Sequence, residues 1–214
     1  MRHTAVLFDL DGTLIDHFKA IHRCHAYAMK QLGLPEPTMA QVRAAVGGGL
    51  DLAITRLAGA ENLPALLPHF LKHWDATHLD DVTSLPGAPE ILQKLNHAGV
   101  ACAVITNKRG CSAREVCDHL KLTPLLKGVY GVGDTSWLKP DPQFTRHVLV
   151  QLGANPAYAL LVGDSVFDVQ TALNAQLDFI GVTTGTHSAE ELKKAGAIHV
   201  APDLISVTRM LGLG

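Results

Sequence analysis

The segment Thr4–Leu14, with the sequence TAVLFDLDGTL, joins a short apolar run to two aspartates and a glycine. The run Thr4–Leu10 is apolar and β-rich, which is typical of a strand buried on both faces of a parallel sheet. Asp9 and Asp11 lie two positions apart at the end of this run, so both can point the same way while Leu10 points into the core. The segment therefore predicts a buried strand that carries two carboxylates to one edge of a sheet.

Apolar runs of the same kind recur later in the chain and alternate with helical patterns. The predicted strands are 101–105, 129–130, 159–162 and 179–182. The predicted helices are 88–98, 112–120, 142–152, 166–174 and 188–195. Strands that alternate with helices indicate an α/β fold, here a Rossmann-like parallel sheet with helices on both faces.

Residues 16–83 interrupt this alternation, because they show helical patterns and no convincing strand. Helices are predicted at 17–32, 39–46, 50–57 and 65–78. The pair Pro86-Gly87 then marks the return to alternation. We predict a Rossmann-like catalytic core formed by residues 1–15 and 84–214, with residues 16–83 inserted as a small helical cap.

The composition excludes several classes of protein. The chain has 214 residues, of which 47% are hydrophobic and 18% charged, and its formal net charge is −2. This balance gives no electrostatic support for nucleic-acid or membrane partners. The four cysteines form no CxxC pair, and no secretory apolar segment follows Met1. We therefore expect a cytoplasmic protein with free thiols.

The first group of chemically active residues is Asp9, Asp11 and Gly12. One of two adjacent carboxylates can attack phosphorus and become an aspartyl phosphate, while the other protonates the leaving oxygen and later deprotonates water. Gly12 allows backbone to approach a phosphate closely. The alternative is an acidic turn between strand and helix, since Asp-Gly is a common turn pair.

Two further segments follow predicted strands or lie in loops. Thr106 and Asn107 come directly after the strand 101–105 and can hydrogen-bond phosphoryl oxygens, unless Thr106 is only a helix N-cap. Lys139 precedes Pro140 in a loop that the prolines fix, and there it can neutralise a phosphoryl group and the nucleophile. The alternative for Lys139 is a solvated loop position.

The last such segment is Gly163–Asp168, GDSVFD. Asp164 ends a predicted strand, and Asp168 lies one helical turn further on. Carboxylates from different strands make a site for Mg²⁺, which prefers hard oxygen ligands. The alternative is an N-cap at Asp164 with Asp168 placed to interact with the helix dipole.

Taken in order, the segments FDLDGTL, ITN, KP and GDSVFD resemble the motifs of the haloacid dehalogenase-like hydrolase superfamily, within it the phosphoglycolate phosphatase-like group. The resemblance covers nearly the whole chain and includes a small helical cap between the first and second motifs. It implies that Asp9 is the nucleophile and a Mg²⁺ ligand, and that Asp11 is the acid/base and binds Mg²⁺ through its main-chain oxygen.

The resemblance also implies roles for the later motifs. Thr106 and Asn107 bind the phosphoryl group, and Lys139 balances its charge. Asp164 is the third protein ligand of Mg²⁺, and Asp168 supports the metal directly or through water. Dehalogenases of the superfamily have no aspartate at the position of Asp11, so its presence here favours phosphate chemistry.

The cap contains two positions at which we expect substrate contacts. His17 replaces the serine that relatives often carry, and it can touch substrate or narrow the entrance; the alternative is an exposed histidine at a helix start. Gly48 lies in the turn Gly47–Gly49, which resembles the substrate-facing loop of the family. The alternative for this turn is a flexible connector between helices.

We predict a Mg²⁺-dependent phosphatase that hydrolyses a small phosphomonoester, with 2-phosphoglycolate as the preferred substrate, through an aspartyl phosphate. The alternatives are a phosphotransferase of the phosphoglucomutase type, which has the same motifs, and a non-catalytic binding module on the same fold. The expected partner is a small phosphorylated metabolite, and the expected assembly is a monomer or a homodimer. A phosphonatase is disfavoured because Lys19, Lys30 and Lys72 have no context that supports a Schiff base.

Overall fold

A computed structural model describes residues 2–213. The strands are β1 (Ala5–Phe8), β2 (Ile15–Asp16), β3 (Thr83–Ser84), β4 (Ala101–Arg109), β5 (Gly128–Val132), β6 (Ala159–Gly163), β7 (Asp178–Val182) and β8 (His199–Ala201). The α-helices are α1 (Phe18–Gln31), α2 (Met39–Ala45), α3 (Leu50–Ala58), α4 (Leu63–Thr77), α5 (Ala88–His97), α6 (Gly110–His119), α7 (Pro142–Leu152), α8 (Val166–Ala175), α9 (Ala189–Ala195) and α10 (Leu204–Met210).

The central feature is a parallel sheet, and within residues 2–213 it has six strands in the order β5-β4-β1-β6-β7-β8. Strand β1 lies in the middle and pairs in parallel with β4 and β6. Its side chains alternate between two apolar clusters: Val6 and Phe8 enter one, and Ala5 and Leu7 enter the other. This burial on both faces confirms the predicted α/β class.

Helices α1 to α4 lie between β2 and β3 and pack around an apolar cluster of their own. Ile54, Phe70 and Trp74 are buried members of this cluster. Where the chain leaves and re-enters the sheet region, β2 and β3 pair antiparallel, with Ile15 opposite Ser84. The division of the chain into a core and a cap at residues 16 and 83 remains a prediction.

Several short elements were not predicted from the sequence. They are the pair β2 and β3, the edge strand β8 and the final helix α10. Strand β4 is also longer than predicted, because it continues through Thr106–Lys108 to Arg109. Its register with β5 shifts between Ile105 and Arg109, an irregularity of the kind that often lies beside functional sites.

Two findings concern the expected cellular setting. Each of the cysteines has a free thiol, and Cys111 is the exposed one. In residues 2–213, no helix is both long and apolar enough to span a bilayer.

Candidate active site

The predicted site residues lie together at the carboxyl ends of the central strands. Asp9 follows β1 directly, and Asp164 follows the neighbouring strand β6. Thr106 and Asn107 lie on β4, on the other side of β1. Residues far apart in the sequence meet here because parallel strands end at the same edge of the sheet.

Lys139 connects two of the aspartates and is almost fully buried, at 1% exposure. Its Nζ donates to Asp9 Oδ1 at 2.7 Å and to Asp168 Oδ1 at 2.6 Å. Burial opposes the charged form of the lysine, but the charges of Asp168 and Asp9 outweigh burial and raise the pKa of Lys139. The alternative of a solvated loop lysine is therefore wrong.

Asp168 lies in the first turn of α8 and has a second set of partners. Its Oδ2 accepts from the backbone N of Ser165 at 3.0 Å and from Ser165 Oγ at 2.6 Å. Ser165 is the N-cap residue of the helix, so the alternative of an N-cap at Asp164 is wrong. Asp168 thus fixes the position of Lys139 while it is itself held by the helix start.

The residues Asp9, Asp164 and Asp168 place carboxylate oxygens within 4.8 Å of one another. Burial, opposed by Lys139, raises the pKa of Asp9 to about 6. Burial and then the charges of Asp9 and Asp168 raise the pKa of Asp164 well above its usual value. Lys139 alone does not offset this negative charge, so the donor set fits a hard divalent cation such as Mg²⁺.

Asp164 is oriented by residues that sequence reasoning did not single out. Its Oδ1 accepts from Thr13 Oγ1 at 3.1 Å, and its Oδ2 accepts from the backbone N of Thr186 at 2.7 Å and from Thr186 Oγ1 at 2.9 Å. Thr186 follows β7, the strand next to β6. Sites in such sheets form at the carboxyl ends of strands, so the position of Thr186 after β7 could have pointed to it. It was not singled out because no recognisable motif follows β7.

Asp11 has a different environment from Asp9. Both of its carboxylate oxygens accept from Lys108 Nζ at 2.9 Å. Burial acts to raise the pKa of Asp11, but the charge of Lys108 and the contact with His17 outweigh burial and hold this pKa below its usual value. Lys108 was visible in the sequence beside Asn107, but nothing in the sequence assigned it to Asp11.

His17 is fully buried, so the alternative of an exposed helix-start histidine is wrong. Its Nε2 donates to the carbonyl oxygen of His78 at 2.5 Å, and its Nδ1 lies 3.5 Å from Asp11 Oδ1. Its ring also packs on Trp74, with 4.9 Å between centroids. His17 therefore lies behind Asp11 and contacts it, and a contact with substrate remains a prediction.

Thr106 and Asn107 contribute to the local structure and also line the cavity. Thr106 is buried, and α6 begins at Gly110 with Arg109 as its N-cap residue, so the alternative of an N-cap at Thr106 is wrong. The Asn107 amide donates to the backbone oxygens of Gly47 at 3.1 Å and Lys139 at 3.0 Å. In this arrangement Asn107 ties the cap turn to the lysine loop, and its binding of a phosphoryl group remains a prediction.

Gly12 occupies a position where a side chain does not fit, whereas a side chain at Gly48 would require the side chains of Leu52 and Phe167 to move. Gly12 has a φ of +84°, and a Cβ there would lie 2.7 Å from Gly185 Cα and 2.8 Å from Asp164 Oδ2. A Cβ at Gly48 would lie 2.3 Å from Leu52 Cδ2. Packing against Asp164 therefore explains Gly12, and its approach to a phosphate stays a prediction.

A cavity of about 350 Å³ opens above these groups. Asp9, Asp11, Thr106 and Asn107 line it from the sheet side. The turn Gly47–Gly49 and side chains of α1, α3 and α4 line it from the other side. Among the described residues, His17 and Gly12 are not part of this lining, whereas Gly48 is.

Comparison with known proteins adds three findings. The family model described as haloacid dehalogenase-like hydrolase matches residues 6–182. The chain is 29% identical over 213 residues to a 5'-nucleotidase from Pseudomonas aeruginosa, covering 99% of this chain and 96% of the relative. It is 32% identical over 219 residues to a phosphoglycolate phosphatase from Rhodospirillum rubrum, covering 97% and 90%.

Among solved structures, a predicted phosphoglycolate phosphatase from Haemophilus somnus superposes with a TM-score of 0.91 at 21% identity, covering 99% of both chains. This likeness supports the fold. The fold and the acidic site together define an α/β enzyme whose site lies at the carboxyl ends of its strands. The chain belongs to the haloacid dehalogenase-like hydrolases, in the group that includes phosphoglycolate phosphatases.

Proposed function

We propose that this chain is a Mg²⁺-dependent phosphatase that transfers the phosphoryl group of a small phosphomonoester to Asp9 and then to water. The observation that carries the proposal is the ion pair of Asp9 with the buried Lys139, beside Asp164 and at the wall of a cavity. With a pKa of about 6, Asp9 is ionised at neutral pH and retains the charge that a nucleophile needs.

In the first step, Asp9 forms a bond to phosphorus, the bond from phosphorus to the ester oxygen breaks, and Asp11 gives its proton to that oxygen. In the second step, Asp11 takes a proton from water, the water oxygen bonds to phosphorus, and Asp9 is released. The ion pair with Lys108 favours the ionised form of Asp11. The first step therefore requires this ion pair to loosen.

Asp9, Asp164 and the main-chain oxygen of Asp11 would hold Mg²⁺, with Asp168 behind them. When bound, Mg²⁺ supplies positive charge that offsets repulsion between the carboxylates and an anionic substrate. Lys139 contributes to the same end from within the chain.

The names of the relatives suggest two substrates for a first assay. 2-Phosphoglycolate is the substrate that membership of this group suggests, and nucleoside 5'-monophosphates are suggested by the relative from Pseudomonas aeruginosa. A phosphotransferase of the phosphoglucomutase type would use the same residues. It would interconvert sugar phosphates without releasing phosphate, and a binding module would do neither.

The test is phosphate release from p-nitrophenyl phosphate with Mg²⁺, with Ca²⁺ and with excess chelator. We expect release with Mg²⁺, little with Ca²⁺, which prefers more ligands, and none with chelator. Asp9→Asn should reduce release to background in a protein that still folds, while Asp80→Asn, a matched change at an exposed aspartate, should not. If Asp9→Asn releases phosphate at a tenth of the wild-type rate, the assignment of Asp9 as the nucleophile is wrong. Full activity in chelator would overturn the proposal of a metal site.

A further inference from the structure

The side of the cavity formed by α1, α3 and α4 is mainly apolar and aromatic. Its main apolar side chains are Ile21, Leu50, Leu67, Phe70, Leu71 and Trp74. Phe70 and Trp74 are buried and stacked on each other, with centroids 5.7 Å apart, so this wall is packed in place. A substrate whose phosphoryl group lies at Asp9 would direct its organic part toward this wall.

The lysine and the arginine that line the cavity both lie on β4 and not on this wall, and each is paired with an aspartate in the resting enzyme. Lys108 is paired with Asp11, and its Nζ also lies 4.6 Å from the centroid of the Trp74 ring. Arg109 pairs with Asp75 at 3.2 Å. Of the residues described, the lining contributed by α1 to α4 contains no lysine or arginine, and it includes the carboxylate of Asp51.

His25 also lines the cavity and is neutral at neutral pH. Burial lowers the pKa of His25 to about 4, and the imidazole packs on Phe70 with 4.6 Å between centroids. The wall therefore presents no free positive charge to a second anionic group of a substrate. Moving a carboxylate from water to such a surface is unfavourable without a partner, whereas moving an apolar group there is favourable.

We propose that the organic part of the natural substrate is uncharged and apolar, an alkyl or aryl group, and that it binds against this wall. The inference rests on the proposed phosphatase function and narrows its substrate class. It disfavours 2-phosphoglycolate, because this small ester carries a carboxylate next to its phosphoryl group.

The first test compares kcat/KM for methyl, butyl and hexyl phosphate, whose alcohols are similar leaving groups. We expect kcat/KM to rise with chain length, by up to roughly fourfold for each methylene that becomes buried. We also expect 2-phosphoglycolate to be a poorer substrate than its neutral amide. A flat series, or a tenfold preference for 2-phosphoglycolate over the amide, would overturn the inference.

The second test adds a positive charge to the wall. Leu71→Lys should move the ratio of kcat/KM for 2-phosphoglycolate and hexyl phosphate at least tenfold toward 2-phosphoglycolate. Ala65→Lys places the same charge on an exposed position of α4 and should leave the ratio at its wild-type value. An equal shift in both variants would show that the wall does not select the substrate.

The two proposals fail in different ways. If no ester releases phosphate, the phosphatase function is wrong and the substrate class falls with it. If all esters release phosphate without regard to chain length or charge, the phosphatase function stands and this inference alone is wrong. The alkyl series uses the wild-type protein, so the result does not depend on whether Leu71→Lys folds.

Discussion

Asp9 and Asp11 are two positions apart in the sequence, but their carboxylates have opposite electrostatic surroundings. Burial raises the pKa of Asp9, whereas Lys108 holds the pKa of Asp11 below its usual value. This order is the reverse of the one that the proposed roles favour, because a general acid works best with a raised pKa. Asp11 must therefore lose its pair with Lys108 before it can carry the proton. The sequence predicted the pair but not this difference, because Lys108 and His17 reach Asp11 only through the fold.

The first prediction concerns the leaving group. Asp11→Asn removes the proposed proton donor, so kcat/KM for an alkyl phosphate should fall on the order of a hundredfold or more. The fall should be much smaller for p-nitrophenyl phosphate, because its phenolate leaves without a proton. The rate of the first turnover, with the enzyme in excess over each ester, provides the measurement because it does not depend on the second step. Equal losses would mean that Asp11 acts mainly through the metal or the fold.

The second prediction concerns His25 and pH. Its pKa is about 4 in the folded chain and about 6.5 when unfolded, so the unfolded chain binds more protons between these values. The contribution of the neutral His25 ring to the free energy of unfolding is fully present above pH 6.5. This contribution falls as the pH is lowered, by about 2 kcal/mol between pH 7 and pH 5.

Urea unfolding at the two pH values measures this change. In His25→Phe, the free energy of unfolding should fall by about 2 kcal/mol less between pH 7 and pH 5 than in the wild type. His97→Phe, at an exposed position on α5, should show the same fall as the wild type. If His25→Phe loses as much stability on acidification as the wild type, the folded chain does not favour the neutral ring.

At the scale of elements, the boundaries of long periodic segments could be predicted closely, and α7 has the predicted bounds 142–152. Short elements could not be predicted, because β2, β3 and β8 have two or three residues each and no measurable periodicity. Helix α1 was predicted to begin at His17 and begins one residue later. Such one-residue differences are normal at helix ends.

The C-terminus of α8 allows a third prediction. Gln176 ends this helix in the left-handed conformation, with φ 58° and ψ 42°. Glycine adopts this conformation without the steric cost of a Cβ, so Gln176→Gly should raise the free energy of unfolding by about 1 kcal/mol. Urea unfolding measures the change, and phosphatase activity should be unaffected.

The matched change is Ala175→Gly, at the last helical residue of α8. It should instead lower the free energy of unfolding by about 0.5–1 kcal/mol, because glycine is unfavourable within a helix. If Gln176→Gly destabilises the chain as Ala175→Gly does, the left-handed residue is not a source of strain.

On the scale of the whole molecule, one edge of the sheet brings together residues that the sequence separates by as many as 177 positions, from Asp9 to Thr186. The sequence could predict that the motif residues lie close together, because each motif follows a strand or lies in a loop at the same edge of the sheet. It could not predict the apolar wall of the cavity. Leu67, Leu71 and Trp74 are spaced as ordinary core residues of a helix, and only the fold turns them toward Asp9.

The central claim is that Asp9 carries the phosphoryl group between substrate and water. In Asp11→Asn with p-nitrophenyl phosphate, the first step remains possible but the second lacks its base, so phosphorylated enzyme should accumulate. The most direct measurement is peptide mass spectrometry of this variant after acid quenching during turnover. We predict a phosphoryl group on the peptide that contains Asp9. A phosphoryl group on another residue, or continued turnover without any phosphorylated enzyme, would contradict the account.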